Sequence, residues 1–266
     1  MELEQNQINT FSFFSAPEFS EKIQDSPAIM LKQAEEGDAE AQTNLGWMYQ
    51  NGLGVEQSDQ QAVHWYQKAA KQGNAIAQTN LGLMYLYGRG VKLSYKEGVY
   101  WCQKAADQGD ARAQANIGWM YSEGNSVEQS DEQAVYWYQK AADQGDAFAQ
   151  NSLGFMYYFM YYHGEGVEQD LKQAAYWFQK AADQGDVVAQ FNLAWIYYNG
   201  RGVEQSDEQA VRWYQKAADL GHAEAQFYLG QMYMNGRGVK QDYRQTFHWY
   251  QKAAEQGHAN AQYNLG

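Results

Sequence analysis

From residue 37 onward, apolar and small side chains return with a helical rather than a strand period, in two registers that alternate along the chain. In the first register Ala41, Leu45, Met48 and Tyr49 share a face, with Gly46 one step away. In the second, Ala62, Tyr66, Ala69 and Ala70 form a stripe flanked by Trp65. A Gly-x-Gly-Val turn lies between them, so the pattern predicts a helix A ending near Gly52 and a helix B after it. The block 37–72 then recurs. Its copies open at Gly73, Gly109, Gly145, Gly185, Gly221 and Gly257, with spacings of 36, 36, 36, 40, 36 and 36 residues. A fixed period of this size signals stacked supersecondary units, each unable to bury its own apolar faces alone.

Capping chemistry sharpens the boundaries. Gly37 suits the left-handed position that ends a helix, and Asp38 can cap the next, as can Asn74, Asp110, Asp146, Asp186, His222 and His258. Ser58, Ser94, Ser130, Asp170, Ser206 and Asp242 each stand three residues before Glu or Gln, which marks the start of every helix B. Both prolines, Pro17 and Pro27, lie before the array, each near a serine that can cap a helix. The organisation expected is a mobile arm over 1–14, a helical cap over 15–36, and six units at 37–72, 73–108, 109–144, 145–184, 185–220 and 221–256. A cut-off seventh follows at 257–266. Its bare end is expected to promote self-association.

One copy departs in length. The four residues Phe155 to Tyr158 are duplicated at 159–162, which lengthens that helix A by about 6 Å and turns it about 40° beyond a full turn. Met160 and Tyr161 then continue the stripe of Met156 and Tyr157, and Tyr162 is pushed outward.

Charge narrows the partners. A net charge of −13 and a pI near 4.8 disfavour nucleic-acid phosphates and anionic membranes and favour a basic protein. No run reaches membrane-spanning length, and the N-terminus lacks the basic and apolar regions of a secretory signal, so a cytoplasmic protein is the expectation. The single cysteine, Cys102, takes a slot held elsewhere by Tyr66, Tyr138, Phe178, Tyr214 and Tyr250 and reads as a buried space-filler. His64, His163, His222, His248 and His258 form no metal or catalytic spacing and read as surface or turn residues; no cofactor is implied. Gln42 recurs as Gln78, Gln114, Gln150, Gln190, Gln226 and Gln262, as a polar ladder between repeats would.

The pattern A-x-A-Q-x-x-L-G-x-M-Y-x-x-G-x-G-V followed by A-V-x-W-Y-x-K-A-A resembles the Sel-1-like repeat (SLR), a relative of the tetratricopeptide repeat, over about residues 34–266. The resemblance implies an all-α, right-handed α/α superhelical solenoid with a concave surface lined by A helices, in proteins that act as scaffolds, adaptors or inhibitors. Ser126 departs from the pattern at the second turn glycine, Ala194 at the helix A glycine, and Gly98 at the Ala62 position.

By analogy with tetratricopeptide arrays, the helix A positions that vary between copies line the groove. They offer Trp47, Leu83, Trp119, Phe155, Phe191, Trp195, Tyr198 and Phe227 as anchors, although several could equally fill gaps between repeats. Asn44, Asn80, Asn116 and Asn192 share one position, where an amide ladder could bond an extended peptide or bridge neighbouring helices. The expected activity is non-enzymatic binding of a protein or peptide. The alternatives are an immunity or inhibitor protein that sequesters an effector, and a cell-wall ligand binder or enzyme using the same groove.

Overall fold

The computed structural model describes residues 27–163 and 171–266, with side chains for all of these except 160–163. Every regular element among them is a helix. The chain divides between Gln144 and Gly145 into two compact units. The first unit holds α1 (Pro27–Glu35), α2 (Ala39–Asn51), α3 (Asp59–Lys71), α4 (Ala75–Tyr87), α5 (Tyr95–Asp107), α6 (Ala111–Glu123) and α7 (Asp131–Asp143). The second holds α8 (Ala147–His163), α9 (Leu171–Asp183), α10 (Val187–Asn199), α11 (Asp207–Asp219), α12 (Ala223–Asn235), α13 (Tyr243–Glu255) and α14 (Ala259–Leu265). Within each, helices A and B alternate as antiparallel neighbours. Residues 1–26, and with them the expected arm, Pro17 and most of the expected cap, lie outside the described residues.

The boundaries follow from the expected chemistry. Asp38 Oδ1 accepts from the Ala41 N–H at 2.7 Å, and Gly52 closes α2 at a φ of +69°, a left-handed conformation that would strain most side chains. Ser58 Oγ accepts from the Gln61 N–H at 3.3 Å to open α3. The same caps recur down both units.

Packing explains the small residues. A Cβ on Gly46 would sit 2.7 Å from the Tyr66 ring, so helices A and B approach until the ring fills the glycine's place. Trp65 and its copies Trp137, Trp177, Trp213 and Trp249 are all buried, each contributing about 2–3 kcal/mol of apolar burial. The lysine three residues on covers the ring in several copies, as Lys216 does at 3.9 Å from the Trp213 centroid.

The glutamines bond across repeats as expected. Gln42 Nε2 donates to the Ala34 carbonyl of the preceding helix at 2.9 Å, while its Oε1 accepts from Gln72 Nε2 at 2.8 Å. The arrangement repeats at Gln78 with Gln108, Gln114 with Gln144, and Gln226 with Gln256. It is incomplete at Gln190. There Leu220 replaces the donor, and the buried Gln190 Oε1 has no partner among the described residues. Because Leu220 is 60% exposed and loses little on replacement, Leu220→Gln is expected to stabilise the protein by about 1 kcal/mol in a urea melt.

Two departures from the repeat pattern are compensated nearby. Cys102 is fully buried, its thiol pushed up to about 12 by desolvation, which makes it an inert filler. It is smaller than the tyrosine it replaces, and the helices close up: a Cβ on Gly82 would lie 2.5 Å from Cys102 Sγ. Leu86 fills the remaining space, and Gly98 makes room for it. In the fifth repeat the Ala194 methyl takes the glycine's place. The Tyr214 ring there stacks on Tyr228 at 5.5 Å, and its hydroxyl has no partner among the described residues.

Candidate interaction surface

A helix A in the middle of a unit is covered by its own helix B, by the preceding helix B and by the next repeat. Little of its surface is left for a partner. Leu83, Phe191 and Phe227 are buried, with exposures of 1%, 1% and 4%, and Trp47 and Trp195 are nearly so. These are corrections to the expectation of exposed anchors: Phe191 and Phe227 are covered by the next repeat, and Trp195 meets the preceding one. Phe191 stacks on His222 (centroids 4.8 Å apart, planes at 20°) and Phe227 on His258 (4.5 Å, 24°). Trp195 meets Tyr158 edge-on at 5.5 Å.

Of the two readings open for the asparagines, burial removes the peptide ladder for three of them. Asn80, Asn116 and Asn192 are buried, and Asn80 hydrogen-bonds the Tyr66 hydroxyl of the preceding repeat. Tyr228, at the same position, instead stacks on Tyr214, and burial pushes its phenol up to about 12. The bridging role is therefore the one the structure displays for Asn80. Asn44, Trp119, Phe155 and Tyr198 keep partial exposure.

His64 and His248 are exposed as expected, and the side chain of His163 lies outside the described residues. His222 and His258 are N-caps whose Nδ1 atoms accept from the Ala225 and Ala261 N–H groups at 3.2 and 3.1 Å. His258 Nε2 also meets Glu224 Oε1 at 3.0 Å. A signal for this was present in the sequence. Phenylalanine occupies the Thr43 position only in the two repeats followed by a histidine cap; elsewhere Thr, Ala or Asn precedes an Asp or Asn cap. Thr79 shows the polar version, its hydroxyl 3.0 Å from Asp110 Oδ1. Asp186, another such cap, has its carboxyl raised by burial, with the Ala189 and Val188 N–H groups and His222 opposing the shift.

Charged latches join some repeats. Arg89 grips Asp59 with two hydrogen bonds of 2.8 and 3.1 Å, and Arg237 grips Asp207 with two of 2.6 and 3.1 Å. The Arg237 guanidinium also lies 4.1 Å over the Tyr198 ring, so the half-exposed Tyr198 is engaged in holding repeats together.

The duplicated segment extends the surface where the other repeats end. Helix α8 has 17 residues against 13 in α2, α4, α6, α10 and α12, a gain of about 6 Å in length. Its first duplicated residue, Phe159, stacks on Phe155 (4.4 Å, 15°) and abuts Tyr158 (5.1 Å). Both phenylalanines pack on the core with one side and remain partly exposed on the other. The side chains of Met160, Tyr161 and Tyr162 lie outside the described residues. Phe159 was missed by reading groove positions at fixed phase, since it exists in no other copy; the duplication itself was the available signal.

Among the described residues, no group of three His, Cys, Asp or Glu side chains could hold a metal ion, and no helix is long and apolar enough to cross a membrane.

Comparison with known proteins gives the family. The Sel1 repeat model matches residues 39–74, 75–110, 111–146, 147–186, 187–222 and 223–258. A protective antigen present in uropathogenic Escherichia coli strains and displaying an SLR fold is 39% identical, with a TM-score of 0.84; the match covers 91% of this chain and 51% of that one. This chain thus spans about half the length of that antigen. A Sel1 repeat protein from Oxalobacter formigenes is 33% identical with a TM-score of 0.78, covering 93% of this chain and 98% of its own. Among curated proteins, none matches the sequence. Six matched repeats and two solved relatives at this level of identity establish that the chain belongs to the Sel1 repeat family.

Proposed function

We propose that this protein is a non-enzymatic binding scaffold for a protein segment, with the Phe155–Phe159 edge of α8 as the principal contact. The supporting observation is that stacked pair. A duplication confined to one repeat lengthens the helix and places a second phenylalanine beside the first, partly exposed, where the shorter A helices have nothing. Aromatic side chains in such a position supply large contact area at low entropic cost. In the first unit Trp119 offers a smaller contact of the same kind.

A net charge of −13 favours a basic partner and faster encounter with it at low salt. The chemistry of the surface supports binding over turnover, because His222 and His258 are committed to caps and stacks. Sequestration of a basic effector falls within this reading, and a captured toxin would define it.

Affinity capture from the native source tests the proposal, with wild-type protein and Phe159→Ala as parallel baits. Phe159→Ala is expected to lose the specifically retained protein, with binding weakened about tenfold or more, while melting close to wild type. Equal recovery on both baits would contradict the assigned contact.

A further inference from the structure

Three junctions between successive repeats, among the described residues, share one construction. The turn after a helix A presses on the first turn of the preceding helix B, so closely that a Cβ on Gly90, Gly202 or Gly238 would overlap the carbonyl of Asp59, Leu171 or Asp207. At two of these junctions the latches Arg89–Asp59 and Arg237–Asp207 add an ion pair across the contact.

The junction of the second and third repeats lacks all three parts at once. Tyr95 stands where Asp59 and Asp207 stand, Asn125 where the arginines stand, and Ser126 where the second glycine stands. Ser126 nevertheless keeps the left-handed turn, with φ +70°, and no other non-glycine residue among those described does so. Its Cβ forbids the close approach seen at the sister junctions. A cleft of about 460 Å³ results, lined by Tyr95, Lys96, Val99, Asn125 and Ser126. The cleft is open to solvent, and Tyr95, Lys96, Asn125 and Ser126 on its walls are exposed.

The lining has a definite chemistry. The Lys96 ammonium, the Asn125 amide and the Ser126 and Tyr95 hydroxyls can all donate hydrogen bonds. No carboxylate lines the cleft, in a chain that carries 32 acidic residues. Lys96 has no ion-pair partner among the described residues, and Tyr95 is 53% exposed, so neither is used by the fold. The Tyr95 ring and Val99 methyls add an apolar wall.

We propose that this cleft binds a carboxylate carried on an apolar stem or ring. Lys96, Asn125 and Ser126 take the carboxylate, and Tyr95 and Val99 take the stem. The site is independent of the α8 edge, so failure of one leaves the other standing. Two sources share this chemistry, a free organic acid and the terminal carboxylate of a peptide.

The test is a titration of the full ¹⁵N-labelled chain, following the amide signals of residues 95–99 and 124–127. The probes are 3-phenylpropionate and the peptide Ala-Ala-Phe, each against its carboxamide. Saturable shifts are expected with at least one acid, and about tenfold weaker binding of its amide. Tighter binding of the peptide assigns the site to a chain terminus; tighter binding of phenylpropionate assigns it to a free acid. Lys96→Gln should weaken the acid about tenfold without changing the melting temperature. The triple substitution Tyr95→Asp, Asn125→Arg, Ser126→Gly installs the latch of the sister junctions and should abolish binding while melting at or above wild type. Absence of saturable shifts with both acids, equal binding of acid and amide, or undiminished binding by Lys96→Gln or by the folded triple variant would overturn the proposal.

Discussion

Phe191→Ala is expected to destabilise the unit 145–266 by about 3–5 kcal/mol, the usual cost of truncating a buried aromatic side chain. Phe191 is 1% exposed. One face is covered by the His222 imidazole at 4.8 Å, and Tyr214 and Tyr228 approach at 5.8 and 6.1 Å. Truncation would leave a cavity between two repeats and remove the support of a residue that caps α12. An anchor exposed in a groove would behave differently, losing partner affinity while melting normally. Chemical denaturation of the single variant separates the two. The pairing adds a second signature: Phe191→Thr with His222→Asp, which restores the pair found at Thr79 and Asp110, should cost less than the sum of its parts.

Gly98→Ala carries the next largest expected effect, and its sign opposes the repeat pattern. Alanine or threonine occupies this position in every other copy, and alanine in a helix interior gains roughly 0.5–1 kcal/mol over glycine. Here the added Cβ would lie 2.5 Å from Leu86 Cγ and 3.1 Å from the Gly82 carbonyl oxygen. Overpacking of this kind costs about 1–3 kcal/mol. Net destabilisation of about 1–2 kcal/mol is expected by urea melting, from those two opposing effects. Leu86→Ala placed beside Gly98→Ala should relieve part of the strain, so the two substitutions should not add.

These two cases mark what could be read from the sequence. Helix ends were legible because capping is local: Asp38, Gly52 and Ser58 each act within three or four residues of themselves. The Gln42 ladder was legible because it recurs in every copy. Exposure of individual helix A residues was not, since Phe191 is buried by His222, 31 residues onward, and Asn80 bonds a tyrosine of the preceding repeat. A helical wheel of one element carries no information about those neighbours. The clues lay in paired departures: Phe191 with His222, Phe227 with His258, and Gly98 with Leu86 and Cys102. Departures that come in pairs preserve the stack. The duplication at 159–162 has no such compensating partner in the sequence.

The α8 edge is tested most directly by deleting residues 159–162, which returns that helix A to the 13-residue length of its counterparts and removes only what the duplication added. Equilibrium binding of the protein captured by wild type is then measured on both forms, alongside their melting curves. The account predicts unchanged cooperative melting and an affinity at least about tenfold lower for the deletion. Full affinity in a folded deletion variant would contradict it.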